Sequence, residues 1–554
     1  MRLAGLASNR GRNLLNVHDR RPGGAELDVV VTNDADAPVL DAAAERGVAT
    51  AAVERREGEA RRDHERRVLD ALADHDVDLV CLDGYMRVLS EVFLDAAPTT
   101  LNVHPSLLPA FPGTDGVGDA LAAGVRTTGC TVHVVTNAVT AAGDVARDAI
   151  DGGPIVTQEA VPVYADDDRD SLGDRVLHEG EFRAYPRAVR WFAEGAVDVS
   201  GTVAAPPDEV DATVSVDPDV DGADPHPGRR PIADDRVEEL RYGENPHQSA
   251  ALYADPTCEE ASVAHAAQVS GEKGMSYVNY LDAEGGLDLV KEFAEPAAVL
   301  VKHANPAGCA TADDLTAAYD RALATDPKSA FGGVVALNRA CDVATAERIV
   351  DSVKHGVVAP GYEDGALDVL GERENMRVLD VSGPRGERAV GPDARSVGEV
   401  DQPVTGGRLV QDRDRQRVGP DDLEVVTARE PTDEQVAGMC FAWQVVKHVT
   451  SNGIVFADGT ETVGLGVGQV SRVDAVELAA RKAARDAEGK SAEGAVMASD
   501  AFFPFPDGVE AAAEAGVEAV VQPGGSIRDD EVIDRADDLG IAMAFTGQRA
   551  FRHD

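Results

Sequence analysis

Lysine is the scarcest charged residue in this chain. Only eight of its 554 residues are Lys, and none precedes Lys273. Aromatic residues make up 4%. The six cysteines, at 81, 130, 258, 309, 341 and 440, form no C-x-x-C pair, which argues against zinc ribbons, redox motifs and a dense disulfide framework. No run of 18 apolar residues exists, and the N-terminus MRLAGLASNRGRN has no apolar core followed by a small-residue cleavage site. A soluble, cytoplasmic protein is expected. Positive charge is also short: 99 acidic residues against 52 basic ones give a net charge of −47. A protein that grips nucleic-acid phosphates needs a basic face, and so does one that binds an anionic membrane surface, so the charge balance argues against both classes.

What is present suffices for a folded protein. Hydrophobic residues are 43% of the chain, and the length is three or four domains' worth of core. Abundant carboxylates with arginine-biased basic residues suit a saline cytoplasm. The Debye length there is about 3 Å at 1 M salt, which screens repulsion between surface carboxylates. A high-GC genome gives a similar bias. From Val197 to Glu239 there is no aromatic residue and no Leu, and Pro, Asp, Gly and Ala dominate. This stretch reads as an extended acidic linker, 197–239, between domains 1–196 and 240–554.

The first part alternates short apolar runs (RLAGLA, LDVVVT, VDLVCLD, TTLNV, CTVHVVT) with helical patterns such as DHERRVLDALADH. That order predicts βαβ units around a mostly parallel sheet. The second part mixes helices with strands such as AAVLVKH, GGVVALN, NGIVFA and EAVVQP. Its Gly-rich, charged stretch at 383–407 is expected to be a surface excursion. A Gly-bearing loop, Ser8 to Asn13, links the first strand to a helix start, where backbone amides favour an anion. Asn102 and His104 lie two apart after a strand pattern and so share a face. A carboxamide beside an imidazole suits a tetrahedral oxyanion. Asp151 sits in Asp-Gly-Gly-Pro, and an Asp beside a His can hold it protonated. In the second part, Lys302 and His303 are adjacent at a strand end, a pairing suited to proton transfer on a poor nucleophile.

With these motifs in view, residues 1 to about 196 resemble glycinamide ribonucleotide formyltransferase. The match rests on Gly11-Arg12-Asn13, GYMRVLS at 84–90, LNVHPSLLPAFPG, His133, DGGPI at 151–155 and Glu181. The resemblance implies a Rossmann-like fold and the co-substrate 10-formyltetrahydrofolate. It makes Asn102, His104 and Asp151 catalytic. Gly11, Arg12 and Asn13 would hold the substrate phosphate, Glu181 the ribose, and Met86, Arg87, Val88 and Leu89 would line the folate pocket. The chain is longer than the family pattern between His133 and Asp151. Asp144, Asp148 or Asp151 could supply the carboxylate, and DGGP favours Asp151. Asp115 stands where the family often has His.

Residues from about 240 onward resemble the transformylase domain that formylates aminoimidazole carboxamide ribonucleotide. The residues carrying this are RYGENPHQ at 241–248, SYVN at 276–279, VKHANPAG at 301–308, SAFGG at 329–333, GGRLVQD at 406–412, SNG at 451–453, GQVSR at 468–472, SDAFFPF at 499–505, PGGS at 523–526 and the terminal Arg552-His553. The resemblance implies a cytidine-deaminase-like α/β fold with Lys302 and His303 as the catalytic pair. Asn452 would help to bind the oxyanion, and Arg241, Tyr242, Arg472 and His553 would sit around substrate. No metal is expected, because neither H-E-x-x-H nor the deaminase H-x-E with P-C-x-x-C occurs. Nothing resembles inosinate cyclohydrolase, so ring closure is expected from a separate protein. The expected partners are small-molecule substrates and other copies of the chain, joined through the C-terminal domain. Rival readings of the first domain are a formyltetrahydrofolate hydrolase, a methionyl-tRNA formyltransferase and a non-catalytic folate-binding module.

Overall fold

The computed structural model describes residues 1–217, 234–383, 388–395 and 398–553. The chain divides into two units, Met1–Ile232 and Ala233–Asp554. Unit 1 is built on seven strands: β1 (Arg2–Ala7), β2 (Glu26–Thr32), β3 (Ala49–Ala52), β4 (Leu79–Asp83), β5 (Thr100–His104), β6 (Thr127–Val134) and β7 (Ile155–Pro162). Their order is β3-β2-β1-β4-β5-β6-β7. The first five run parallel, and β6 and β7 are antiparallel additions. The helices are α1 (Arg12–Arg20), α2 (Val39–Ala44), α3 (Arg61–Leu72), α4 (Glu91–Ala96), α5 (Gly116–Ala123), α6 (Arg169–Arg175) and α7 (Phe182–Ala193). Leu3, Ala4, Leu6 and Ala7 of β1 are all fully buried, as a central parallel strand covered on both faces requires. The edge strand β3, Ala-Thr-Ala-Ala, lacks the bulky apolar run that marks the others.

The start of the expected linker folds onto unit 1. Val197–Ser200 forms β8, which pairs antiparallel with β9, Thr213–Val216. Val197, Val199, Val214 and Val216 pack against the core of this unit. Asn137 is 2% exposed. Its amide donates to Val203 O at 2.8 Å and its Nδ2 to Ala205 O at 2.9 Å. The alternation of Val with Asp and Ser is a strand pattern that the scarcity of large residues concealed. Residues 218–233 of that linker lie outside the described residues, and Asp235–Leu240 already forms the next strand. A fragment ending at residue 196 strips both partners from Asn137. Each buried group left unpaired costs about 1–3 kcal/mol. Fragment 1–196 should therefore melt well below fragment 1–217, at roughly 2–4 °C per kcal/mol for this size. Equal melting temperatures by calorimetry would show that the hairpin adds nothing.

Unit 2 opens with the antiparallel pair β10 (Asp235–Leu240) and β11 (Ala250–Ala254). Its first half continues through β12 (Ala267–Ser270), α8 (Tyr277–Val290), β13 (Ala297–Lys302), β14 (Asn305–Thr311), α9 (Leu315–Leu323), β15 (Val334–Leu337), α10 (Val343–Val350), β16 (Gly356–Ala359), α11 (Ala366–Gly371) and β17 (Arg377–Asp380). Of the expected surface excursion at 383–407, residues 384–387 and 396–397 lie outside the described residues, and Val390 and Arg395 are buried, so that part is no excursion; the hairpin β18 (Glu399–Val404) and β19 (Gly407–Asp412) is mostly exposed. The second half comprises β20 (Glu424–Val425), α12 (Asp433–Val446), β21 (Ile454–Asp458), β22 (Glu461–Gly466), α13 (Arg472–Arg485), β23 (Val496–Ser499), α14 (Asp507–Glu514), β24 (Ala519–Gln522), α15 (Asp529–Leu539) and β25 (Ala542–Phe545). One twelve-stranded sheet runs β12-β17-β16-β15-β13-β14-β22-β21-β23-β24-β25-β20. Helices α8 and α12 share one core cluster, through residues such as Leu287, Val290, Met439 and Trp443.

A buried ionic network lies beside these two helices. Asp288 accepts from Arg395 at 3.0 Å and Arg413 at 2.7 Å, and Glu292 pairs with Arg395, Lys447 and His448. Burial alone would raise the Glu292 pKa, but the bond from His448 and the neighbouring cations hold it at about 2. Glu260 joins Lys291 and Arg413. Replacing Glu292 takes the carboxylate partner from buried Lys447, and replacing Glu260 takes that of buried Lys291, which is far costlier than losing a surface pair.

Candidate active sites

The antiparallel register of β5 and β6 sets Asn102 opposite His133. Asn102 Nδ2 lies 3.1 Å from His133 Nε2, and His133 Nδ1 lies 3.2 Å from Val134 O. Donation from Nδ1 to that carbonyl leaves Nε2 as the acceptor for Asn102. Burial lowers the His133 pKa, against the opposing charge of Asp151, which favours this neutral ring. His104 Nε2 donates to Phe111 O at 2.9 Å, and its Nδ1 lies 3.3 Å from Asp151 Oδ2. Both ring nitrogens thus face acceptors, an arrangement that a doubly protonated imidazole satisfies. Asp151 takes a left-handed backbone (φ 57) and accepts from Gly113 N at 2.9 Å; its other oxygen is 3.7 Å from His133 Nε2.

Asn102, His104, His133 and Asp151 line a cavity of about 420 Å³, and Met86, Arg87, Val88 and Leu89 line it as well. Of the three aspartates left open by the sequence, Asp151 is the one brought to His104; Asp144 and Asp148 are exposed. The longer segment before Asp151 supplies Thr136, Ala138, Ala149 and Ile150 to the same cavity. Asp115 caps α5 by accepting from Gly118 N, and pairs with Arg169 at 2.6 Å.

The N-terminus of α1 holds a second set. Gly11 takes the left-handed conformation (φ 56) that the turn into the helix requires. Asn13 is buried, and its Nδ2 donates to Glu181 Oε2 at 2.6 Å and to Asp83 Oδ1 at 3.2 Å. Its backbone amide donates to Asp83 Oδ2 at 2.7 Å. A carboxylate therefore already caps the inner amides of this helix. Arg12 stands outside, exposed, with a guanidinium 3.9 Å from Asp174. Asn13 Oδ1 is buried without a hydrogen-bond partner among the described residues, an acceptor open to a ligand hydroxyl or amine. Burial raises the Glu181 pKa to about 7, opposed by the Asn13 bond.

The sign of that shift is testable. Between about pH 4.5 and 7 the folded state keeps a proton that the unfolded chain has lost, so stability falls as pH rises through this window and then levels off. At about 1.4 kcal/mol per pKa unit the effect totals roughly 3 kcal/mol. Glu181→Gln should remove it, so the melting temperature of the variant relative to wild type should climb from pH 5 to 7.5. A constant difference would show that Glu181 titrates normally.

In unit 2, β13 ends at Lys302, half-buried, whose Nζ donates to Phe331 O at 2.8 Å; His303 is exposed. Burial lowers the pKa of the nearby His355, and Arg377 and Lys302 act in the same direction. Asn305 Oδ1 accepts from Thr450 N and Oγ1, both at 3.1 Å, linking this turn to the segment that carries Asn452. Asn452 Oδ1 accepts from Arg472 Nη2 at 2.8 Å, and Arg472 also pairs with buried Asp500 and donates to Ser499 Oγ. The Arg472 guanidinium lies 6.0 Å from the Phe551 ring centre. Burial raises the Asp500 pKa, while Arg472 and, more weakly, His553 oppose it. Arg241 and Tyr242 follow β10, with the guanidinium 5.6 Å over the Tyr242 ring.

The family model described as formyl transferase matches residues 1–189, and that of the AICARFT/IMPCHase bienzyme matches residues 217–482. The chain joins a formyl transferase domain to an AICARFT/IMPCHase domain. A bifunctional purine biosynthesis protein PurH from Magnetococcus marinus is 51% identical over 326 residues, 57% of this chain and 60% of that protein. The chain thus spans about 60% of the length of this curated relative. Among solved structures, glycinamide ribonucleotide transformylase 1 from Symbiobacterium toebii is 37% identical, with 39% of this chain and 93% of that chain covered and a TM-score of 0.34. Phosphoribosylglycinamide formyltransferase from Brucella melitensis is also 37% identical, with 35% and 95% covered and a TM-score of 0.30.

Two expectations need correction. In the AICARFT/IMPCHase domain, Asn452 does not present a free donor: its Nδ2 donates to Gln469 O and Val470 O, each at 3.0 Å. Its carboxamide holds Arg472 in place. Nor do the inner amides of α1 in the formyl transferase domain stand open to an anion, because Asp83 fills them. Sequence reasoning gave no role to His133 and passed over Asp83. The signal for Asp83 was a carboxylate closing an apolar strand at the switch point between β1 and β4, where ligands of open α/β sheets bind.

Proposed function

We propose that the chain transfers formyl groups from 10-formyltetrahydrofolate to glycinamide ribonucleotide in the formyl transferase domain. The AICARFT/IMPCHase domain is the second transferase, formylating 5-aminoimidazole-4-carboxamide ribonucleotide. The observation that carries the reading is the connected set Asn102, His133, Asp151 and His104 in a cavity also lined by Met86, Arg87, Val88 and Leu89. The amine attacks the formyl carbon, the second hydrogen of Asn102 Nδ2 donates to the oxygen that becomes anionic, and His104, its ring nitrogens held by Phe111 O and Asp151, acts on that oxygen through its charge. Asp151 orients His104 and takes part in moving the amine proton toward the departing folate nitrogen. Arg12, with the outer amides of the Gly11 turn, meets the substrate phosphate, and Asn13 Oδ1 and Glu181 meet its ribose. In the second domain Arg472, His553, Arg241 and Tyr242 surround the nucleotide.

Such a chain works in the cytoplasm and assembles through the C-terminal unit, where Phe331, Phe505, Ile527 and Val470 stand exposed; sedimentation at two concentrations would show a monomer if that assembly is wrong. The central test follows tetrahydrofolate release by the full chain with each ribonucleotide amine offered separately. Release with each amine supports the reading. Release with neither amine present identifies a hydrolase, and no release with glycinamide ribonucleotide leaves the first domain a binding module.

A further inference from the structure

Between Lys302 and Asn305, which pair across β13 and β14, lies a two-residue turn. His303 and Ala304 are both left-handed, with φ 55 and φ 58. This type I′ geometry favours Asn-Gly, and a His or Ala there is disfavoured by contact of its Cβ with the backbone. The segment Lys-His-Ala-Asn has no local reason to adopt it. The reason lies on α8. The Asp282 carboxylate, 4% exposed, accepts from the Ala304 amide at 2.8 Å and also from the His303 amide. Two successive amides of left-handed residues form a concavity that suits an anion, and a buried side chain of this protein fills it. Asp282 reaches the turn because α8 lies close against the sheet. A Cβ on Gly286 would stand 2.9 Å from Ala336 Cβ and 3.3 Å from Val301 Cγ2.

We propose that Asp282 is the positioning residue of the second site. It imposes the left-handed turn that brings Lys302 and His303 to the same reacting atoms. This rests on the reading of unit 2 as a formyl transferase. The experiment measures kcat and KM of the full chain for aminoimidazole carboxamide ribonucleotide with Asp282→Asn, Asp282→Ala, Ala304→Gly and the double variant Asp282→Ala/Ala304→Gly. Glycine adopts the turn without strain, so it replaces part of what Asp282 supplies.

Asp282→Ala should lower kcat about 100-fold, the scale of a 1 Å misplacement. Asp282→Asn, which keeps one acceptor, should lose less. KM for the nucleotide and formylation of glycinamide ribonucleotide should stay within about two-fold, and the double variant should recover about ten-fold of the loss. Wild-type kcat in Asp282→Ala overturns the proposal. So does a loss that appears as KM, that tracks the melting temperature across all variants, or that glycine at 304 leaves unrepaired. If Asp282→Ala does not fold, Asp282→Asn decides alone by the same split. A wild-type chain without this activity sinks the reading of unit 2 itself, which is a separate outcome.

Discussion

His303→Ala is expected to abolish most formylation of aminoimidazole carboxamide ribonucleotide, by roughly 10²–10⁴-fold, the usual contribution of a positioned acid or base. The amine of this substrate is conjugated with its ring and carboxamide and is a poor nucleophile. It needs a base as the C–N bond forms, and the folate nitrogen needs a proton as it leaves. His303 is exposed, and an imidazole is the side chain suited to taking and returning a proton. Lys302, held by Phe331 O, is a point cation with two hydrogens to spare for the oxyanion or the leaving group. Lys302→Ala should lose a comparable factor. The double variant should be little worse than either single one, because both act on one transition state. Turnover and nucleotide affinity of the three variants check this. Unchanged turnover in His303→Ala, or variants that only bind more weakly, would make the pair structural.

Asn102→Ala should cost glycinamide formylation roughly 10²–10³ in turnover, as the loss of one oxyanion donor does elsewhere. Asn102 also donates to His133, so its loss frees that neutral ring beside Asp151. The second activity, assayed in the same preparation, should be untouched. An equal fall in both would mean that the sites are coupled or that Asn102 is misassigned.

Both expectations rest on residues that local sequence displays. Asn-x-His at a strand end and Lys-His at another are short patterns whose geometry follows from strand periodicity, and the structure places them at strand ends. What sequence did not display is non-local. His133 joins Asn102 through the pairing register of β5 and β6, which no motif encodes. Asp83 becomes a helix cap only because β4 lies beside the strand that precedes α1. The hairpin β8–β9 was hidden because its apolar residues are small valines amid Asp and Ser, so composition suggested a linker where alternation already marked strands. The choice of Asp151 over Asp144 and Asp148 needed the fold as well, since DGGP singled it out only by analogy.

Helix α8 carries both Asp282, at the turn, and Asp288, in the buried ionic network, six residues and about 9 Å apart. A helix transmits displacement along its axis with little give. The ring of Arg395, Arg413, Lys447 and His448 around Asp288 and Glu292 therefore acts as a clamp on the rod whose other end sets the Lys302–His303 turn. Salt in the surrounding medium screens the surface carboxylates far more than these largely buried pairs. The anchoring of the Lys302–His303 turn through α8 is thus expected to depend on salt less than the pairs of so acidic a surface do.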